Sequence, residues 1–406
     1  MLGTTAVDVR PFSLRSPGGG TTVRPVAGQG ERPKRSTEPP AAGSPASNSG
    51  GRSPARVPPR GRVVALTGAA SFLGRNLVGV LEEDASVAGI VALDVQAPPT
   101  AGKKTRFYEI DLTRPSAEVR IAEVLRAEDV DTFLHLAFLS SPSHAPAYSH
   151  ELESVGTMRV VTACRSARVR KLVQASTTLL YGARPTNPNF LSERHPLRAR
   201  RDDPFFADKI EAEQEALRLG QRGSGTLVTV LRTAPILGPT VHNTLTKYLG
   251  RKLVPTMMGF DPLVQFLHEV DAIAAFKRAI DRDAPGIFNI VADGVLPLST
   301  VIKLAGRAGV PVPHPLARPA LEALWVAHVA EAPSSFIDYL RFLCVADGRK
   351  AQRELGFTAT YTTREALVDF ASVQLLRDVR LIHDRDKATP DKDTVGATGA
   401  KAVTSA

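Results

Sequence analysis

The stretch RVVALTGAASFLG, residues 62–74, decides the fold. A β-branched, apolar run ends at Thr67, Gly68 follows it, and an apolar helix-forming run begins at Phe72. Gly68 permits a tight turn from strand to helix, and Gly74 lets that helix pack closely against the sheet. The first turn of the helix then offers N–H groups and a partial positive charge to a pyrophosphate. The stretch predicts a dinucleotide-binding turn whose contacts are Gly68, Ala70, Ser71, Phe72, Leu73 and Gly74.

Ser71 and Asp94 refine this prediction. Ser71 takes the place of the usual middle glycine, so its Cβ narrows the approach to phosphate while its hydroxyl can donate a hydrogen bond. Asp94 ends the second predicted strand, twenty residues after Gly74. A carboxylate there accepts hydrogen bonds from the adenosine ribose hydroxyls and repels a 2′-phosphate. We therefore expect NAD, with NADP less favoured, although Arg75 could accommodate a phosphate.

Strands alternate with helices after residue 61, which predicts an α/β fold with a Rossmann-type doubly wound parallel sheet. The predicted strands are 62–67, 89–94, 105–110, 132–137, 171–176 and 226–231, and the helices between them include 72–82 and 151–166. Later helices are predicted at 296–306, 319–329 and 364–376. We expect a NAD-binding domain over 61–240 and an interleaved, mainly helical substrate lobe over 241–383.

The two ends of the chain differ from this pattern. Residues 1–60 are rich in proline, glycine, serine and arginine, and carry nine basic side chains against three acidic ones. They lack periodic apolar residues, so we predict a disordered basic leader, and a disordered tail over 384–406. The leader holds six of the ten net positive charges. The body lacks a basic stripe interleaved with aromatic residues, so specific nucleic-acid binding is not expected.

Composition narrows the class of protein further. Cys164 and Cys344 are the only cysteines, too few for a disulfide framework or a zinc cage, and no metal site is predicted. The longest apolar runs are too short to cross a bilayer, and the N-terminus lacks a secretory signature. We expect a cytoplasmic protein without membrane contact.

Several further motifs, in order along the chain, are similar to the extended short-chain dehydrogenase/reductase family. The resemblance is to its NAD-dependent nucleotide-sugar epimerase/dehydratase branch and covers about residues 62–371. It implies that Asp111 and Leu112 form the adenine-side pair, that Leu136 and Ala137 line the cofactor, and that Thr177 takes the catalytic Ser/Thr position. The remaining similar segments are 231–239, 265–271 and 286–290.

The family's chemistry requires a tyrosine with a lysine four residues later, one helical turn apart. Here Lys209 takes the lysine position, but Phe205 stands in the tyrosine position. A phenyl ring exchanges no proton, and general acid–base assistance is worth about 10²–10⁴ in rate. Asp203 and Pro204 predict a well-capped start of this helix. Glu153 replaces a family asparagine on the preceding helix; we interpret it as a solvated carboxylate, with a displaced general base as the alternative.

Other proton carriers fit less well. His135 is interpreted as a hydrogen-bonded wall of the cofactor cleft, Tyr181 as a packing residue, and Asp208 as pointing away around the helix. His268 is expected to be structural, and Trp325 to lie in the core.

Two functions remain open at this point. One is an oxidoreductase acting on a nucleotide-diphosphate sugar by transient hydride transfer, in which Lys209 orients the nicotinamide ribose and Thr177 the reacting oxygen. The other is a catalytically weak or inactive scaffold or sensor that binds NAD or a sugar nucleotide. The resemblance also implies a homodimer.

Overall fold

The computed structural model describes residues 61–388 except 222 and 224, with side chains described up to residue 376. The predicted disorder of residues 1–60 and of 389–406 lies outside these residues. Thirteen strands occur in the described part of the chain: β1 (Arg62–Thr67), β2 (Val87–Asp94), β3 (Thr105–Glu109), β4 (Thr132–His135), β5 (Lys171–Thr177), β6 (Leu227–Thr233), β7 (Ile236–Leu237), β8 (Leu253–Met257), β9 (Leu263–Val264), β10 (Leu267–His268), β11 (Gly286–Ile290), β12 (Leu296–Pro297) and β13 (Ala308–Val312).

Ten α-helices lie in the same described residues: α1 (Phe72–Glu83), α2 (Ala117–Ala127), α3 (Pro146–His150), α4 (Gly156–Ser166), α5 (Pro204–Gln221), α6 (Thr244–Gly250), α7 (Glu269–Asp281), α8 (Leu298–Leu304), α9 (His314–Val326) and α10 (Thr363–Ala388). A π turn, Glu151–Val155, joins α3 to α4, and a second π turn is Ala351–Leu355. Since α10 runs to Ala388, the predicted tail boundary at Asp384 is wrong: that position lies inside a helix.

Seven strands form one parallel sheet in the order β3-β2-β1-β4-β5-β6-β11. The predicted doubly wound α/β fold is thereby confirmed. The strand order reverses between β1 and β4, which opens a crevice at their carboxyl ends, where ligands bind in such sheets. The last strand, β11, comes from far along the chain, so the sheet and the later segments are interleaved.

Both faces of the sheet are covered, which explains its nearly continuous apolar strands. Within β1, Val64 and Leu66 pack into the core beneath α1 and α7, while Ala65 packs into the core on the opposite face, beneath α2, α4 and α5. The later segments build a smaller lobe from α6, α8, α9 and α10 with two-stranded β pairs. This lobe contributes walls to the cavity at the sheet's carboxyl edge.

The turn between β1 and α1 depends on two glycines. Gly68 has a φ of +67°, and a Cβ there would lie 2.7 Å from the backbone of Leu136 at the end of β4. A Cβ on Gly74 would lie only 2.0 Å from the carbonyl oxygen of Gly68. Ser71 caps α1, because its hydroxyl accepts a hydrogen bond from the Gly74 N–H at 3.1 Å. These contacts hold the N-terminus of α1 open towards the crevice.

We expect Gly74→Ala to lower the free energy of unfolding by about 2 kcal/mol or more, because the added methyl overlaps backbone that cannot yield. Gly79→Ala is the matched control on the same helix. Its nearest neighbour would be Thr100 at 3.8 Å, and an interior helical alanine is favoured by roughly 0.5–1 kcal/mol. Urea unfolding of the two variants measures both effects. Equal stabilities would contradict the proposed close packing of the turn.

Candidate functional site

Asp94 lies beside the cofactor turn at the end of β2. Its Oδ2 accepts a hydrogen bond from the Ala70 N–H at 2.9 Å, and its Oδ1 accepts one from the Val95 N–H at 2.7 Å. The carboxylate thus reaches the turn directly from the neighbouring strand. The glycine turn, the N-terminus of α1 and this carboxylate fit a dinucleotide, with the diphosphate at α1 and the adenosine ribose at Asp94.

Asp111 and Leu112 follow β3. Burial raises the pKa of the Asp111 carboxyl, but hydrogen bonds from Thr113 and the nearby Arg114 outweigh it and leave the pKa below its usual range. Leu112 is buried and packs against Gly156, where a Cβ would lie 3.3 Å from the leucine Cβ. Leu112 therefore supports the start of α4 as well as the sheet edge.

His135, at the end of β4, is completely buried between two threonine hydroxyls. Its Nδ1 lies 2.7 Å from Thr67 Oγ1, and its Nε2 lies 2.9 Å from Thr157 Oγ1. Burial lowers the pKa of the imidazole to about 3, so the ring is neutral. Both nitrogens are occupied, so His135 ties β1, β4 and α4 together beside the crevice.

Glu153 and Lys209 form a buried ion pair, with 2.5 Å between Oε1 and Nζ. Glu153 is 1% exposed, so the interpretation as a solvated helix carboxylate is wrong. The π turn that carries Glu153 widens the helix at this point and turns the carboxylate inward, and such turns recur at functional sites. The same Oε1 accepts a hydrogen bond from the Leu139 N–H at 2.7 Å, and Lys209 Nζ donates to the Leu139 carbonyl oxygen at 3.0 Å.

Phe205 lies one turn before Lys209 on α5, and the lysine Nζ is 4.5 Å from the centre of its ring. The ring of Phe138 lies 5.5 Å from the same nitrogen on another side. Burial raises the pKa of Glu153, while the charge and hydrogen bond of Lys209 oppose the rise. The ammonium group is enclosed by one carboxylate, one carbonyl and two aromatic faces. The helix begins as predicted, since Asp203 Oδ1 accepts from the Phe205 N–H at 2.9 Å.

Thr177 ends β5 near the cavity, where its hydroxyl accepts a hydrogen bond from the Leu179 N–H at 3.3 Å. The strand is held from behind by a buried ion pair between Arg232 and Glu213, whose carboxylate also accepts from Ser176 at 2.6 Å. Tyr181 is 1% exposed, donates to Asn289 at 2.7 Å and accepts from Arg232 at 2.8 Å. Burial raises the pKa of Tyr181 to about 12, so this tyrosine fills a structural position.

Sequence reasoning missed the Arg232–Glu213 pair. A glutamate in a helix and an arginine in a strand carry no pattern that shows they meet. Asp208 binds His150 at 2.7 Å, away from the cavity, and His268 caps α7 and contacts Asp369 at 3.0 Å.

A cavity of about 860 Å³ opens at the carboxyl edge of the sheet and extends into the small lobe. Among the predicted site residues, its lining includes Ser71, Phe72, Leu73, Leu136, Thr177, Phe205 and Lys209. The structure thus brings the front of the cofactor turn and the catalytic positions to one cavity. Asp94, Asp111 and Leu112 lie outside its lining.

A second cavity, of about 480 Å³, lies on the other side of Phe205 and Leu139, which line both. Glu153 lines this second cavity. Trp325 also lines it from α9 and stacks on His144, with 3.7 Å between ring centres. The prediction of Trp325 as a core residue is wrong, because α9 packs loosely and Ala317 is its only buried side chain.

The sequence profile of the NAD dependent epimerase/dehydratase family matches residues 64–291. The chain belongs to this family of oxidoreductases. The uncharacterized protein Rv0501 of Mycobacterium tuberculosis is 36% identical over 320 residues, which cover 76% of this chain and 83% of that protein. The predicted family resemblance is confirmed.

One further relative has a named activity, and another has been solved with bound ligands. The 4-hydroxy-2-methyl-3-oxo-4-farnesyl-3,4-dihydroquinoline-1-oxide ketoreductase of Stigmatella aurantiaca is 27% identical, covering 74% of this chain and 93% of that protein. The solved structure of MoeE5 in complex with UDP-glucuronic acid and NAD is 25% identical with a TM-score of 0.60, covering 78% of this chain and 100% of that one.

His135 gives the site a pH-dependent stability. Its pKa falls from an ordinary value near 6.5 to about 3 on folding, so the unfolded chain takes up a proton that the folded chain does not. This contribution is therefore complete above pH 6.5 and declines as the pH falls towards 3, by up to about 1.4 kcal/mol per pH unit. Urea unfolding at about pH 7.5 and about pH 5 measures the free energy of unfolding at each pH. The difference between the two values should be smaller for His135→Gln than for the native protein.

His150→Gln is the control for the His135 measurement, because Asp208 raises the pKa of the exposed His150. The His150→Gln variant should lose more of its free energy of unfolding between about pH 7.5 and about pH 5 than the native protein, whereas His135→Gln should lose less. The same slope in the native protein and in His135→Gln would refute the role of the buried imidazole.

Proposed function

We propose that this protein binds NAD(H) and transfers hydride to or from a substrate oxygen-bearing carbon, with Lys209 in place of a tyrosine as the proton-exchanging group. The observation that carries the proposal is the Lys209–Glu153 pair at the wall of the main cavity. The position that the family gives to tyrosine is taken by Phe205.

The surroundings of Lys209 suit proton exchange. Its side chain is 9% exposed and lines the main cavity, and its ammonium group lies beside the ring face of Phe205. Aromatic faces attract a cation without accepting its proton. Glu153 offers a carboxylate on the far side, and its lining of the second cavity gives the pair a connection to that space. A proton given up by Lys209 can be restored through Glu153.

In the direction of reduction, a carbonyl compound gains one hydride and one proton. NAD, when bound in its reduced form, supplies the hydride to a carbonyl carbon. Thr177 donates a hydrogen bond to the carbonyl oxygen, and Lys209 Nζ gives that oxygen a proton, which yields a secondary alcohol. Glu153, as a carboxylate, holds the lysine in place, and it relays to the lysine a replacement proton taken from water in the second cavity. The oxidative direction reverses each step.

The relatives support hydride transfer, but they differ in the class of substrate. The Stigmatella protein is named a ketoreductase, whereas MoeE5 holds a nucleotide sugar. The predicted nucleotide-diphosphate sugar, with hydride returned to the same molecule, is the second candidate substrate. Its diphosphate would depend on Arg75, Lys209 and Arg251, the lysine and arginines of the main cavity's lining.

The alternative function, a catalytically weak NAD-binding scaffold, is favoured by one observation. At 2.5 Å, Glu153 cancels much of the field that Lys209 would exert on a neighbouring group. A tyrosine restored at position 205 would then lack the cation that lowers its pKa. The two functions make opposite predictions for substitutions at these positions.

We expect the native protein to oxidise NADH with carbonyl substrates, and Lys209→Met to lose about 10²–10⁴ in kcat, the usual worth of a general acid. Phe205→Tyr should change kcat by less than about tenfold, since the proton already comes from the lysine. NADH consumption with a panel of ketones and with UDP-glucose measures this.

The paired variant Phe205→Tyr with Glu153→Asn is the decisive comparison. If the native protein binds NAD but turns over nothing, and this double variant gains activity, the scaffold function is correct. Glu153→Asn in the Lys209→Met background serves as the control for folding, because it removes both charges together and leaves no unpaired ion.

We also propose that Asp94 selects NAD over NADP. Asp94→Ser should weaken NAD binding at least about tenfold, since a hydrogen bond to a charged group is worth roughly 1.5–3 kcal/mol, and should narrow the preference over NADP. Glu109→Ser is the matched control, because Glu109 pairs with Asp94 in register on β3 but is exposed. Calorimetric titration of both variants with NAD and with NADP measures the affinities. An unchanged preference in Asp94→Ser would contradict the assignment.

The predicted homodimer and cytoplasmic location remain proposals. No helix among the residues that the structure describes is long and apolar enough to span a membrane.

A further inference from the structure

The inner part of the main cavity, away from the cofactor turn, is lined by hydrocarbon and aromatic side chains. They come from β8, from α9 and from the segment after it: Met257, Leu321, Phe336, Ile337, Leu340 and Phe342. Such walls favour a ligand with a large apolar surface, since affinity grows with the apolar area removed from water.

Most of the polar side chains in this lining form their hydrogen bonds with other groups of the protein. Tyr248 donates to the Pro255 carbonyl at 2.7 Å, and Tyr339 donates to the Leu179 carbonyl at 2.6 Å. Gln265 donates to the Ala292 carbonyl at 3.0 Å and accepts from the Ala346 N–H at 3.1 Å. A ligand therefore meets the ring faces and hydrocarbon of these residues more than their polar atoms.

Of the charged groups in the lining, Arg75 is half-buried at the cofactor turn, 5.8 Å from the centre of the Phe72 ring, and the others are paired or exposed. Lys209 is paired with Glu153, Arg251 is exposed, and Glu331 is exposed and 3.4 Å from Lys247. Two negative charges of a diphosphate in the inner part would thus be desolvated without a buried cation to pair with. Such burial costs several kcal/mol per ion.

Two hydroxyls in the lining retain capacity for a ligand. Thr177 accepts a hydrogen bond from Leu179 and keeps its own proton to donate. Thr244 Oγ1 is buried without a hydrogen-bond partner. Both residues line the main cavity, so they provide polar contacts for one or two oxygen atoms of an otherwise apolar molecule.

We propose that the substrate is an apolar ketone or secondary alcohol that extends from Thr177 into the inner cavity beneath α9, and not a nucleotide-diphosphate sugar. This rests on the proposed function, which places the reacting oxygen at Thr177 and the hydride at bound NAD(H). The reduction adds one hydride from NADH to the carbonyl carbon and one proton from Lys209 to its oxygen, and it leaves NAD⁺.

The test measures binding without turnover, in the presence of saturating NAD⁺. Straight-chain 2-alkanones of increasing length are titrated by calorimetry, with the fluorescence of Trp325, the single tryptophan, as a second readout. We expect affinity to rise about fourfold per added methylene until the cavity is filled. UDP-glucose should neither displace the longer ketones nor bind comparably. Tight UDP-glucose binding with flat ketone affinities would overturn the proposal.

Two substitutions on α9 locate the ligand. Both Ala320 and Ala323 are exposed, but Ala320 lines the main cavity and Ala323 lies outside its lining. Ala320→Phe should weaken the longest ketone at least about tenfold and leave the shortest unchanged, while Ala323→Phe should leave both unchanged. Equal effects of the two variants would contradict a ligand beneath α9.

NAD⁺ titration of each variant separates this proposal from the proposed function. Tight NAD⁺ binding without ketone binding refutes the apolar substrate alone. Absence of NAD⁺ binding in the folded native protein refutes the proposed function, and the substrate assignment fails with it.

Discussion

The arrangement of side chains around Lys209 depends on two charges that are both removed from water. Lys209 and Glu153 lie on different helices, and each is less than a tenth exposed. A buried ion without its partner costs about 3–5 kcal/mol, so neither helix can shift without losing the other's compensation. The pair therefore fixes the distance between α5 and the π turn before α4. Leu139, bonded to both members, ties the segment after β4 to the same point. The pair thus fixes α5, the π turn and the segment after β4 at one wall of the main cavity.

The substitutions at positions 153 and 205 are best understood as a pair. Phe205 offers the ammonium group of Lys209 no hydrogen-bond acceptor and no negative charge, and its ring face compensates only in part, which leaves the Leu139 carbonyl as an uncharged acceptor. The carboxylate of Glu153 supplies a second acceptor and a balancing charge. Each residue alone would be costly in this enclosed place, but together they form a satisfied group. Because each substitution compensates for the other, Glu153, Phe205 and Lys209 form a stable arrangement of their own. They are not a damaged version of the family's tyrosine–lysine pair.

The sheet could be predicted closely from the sequence because its signals are local. The first strand was predicted at 62–67 and is observed over the same residues, since β-branched residues, a positive-φ glycine and a helix start lie within one short stretch. Glu153 and Trp325 were misjudged for one shared reason. The burial of a residue on a helix depends on which neighbour covers that face, and a helical period does not name the neighbour. Glu153 lies on a π turn, which directs its carboxylate inward and which the spacing of apolar residues does not predict. Trp325 lies on a helix whose apolar face is only partly covered.

The apolar cavity and the buried ion pair reinforce one another. A ligand without charge leaves the balance between Lys209 and Glu153 undisturbed, whereas a nearby diphosphate would compete with Glu153 for the lysine. Exclusion of water by an apolar ligand also lowers the local dielectric, which strengthens the attraction within the pair and the hydrogen bond from Thr177 to a reacting oxygen. The same enclosed surroundings that make a free charge expensive thus favour a substrate whose only polar group is the one that reacts.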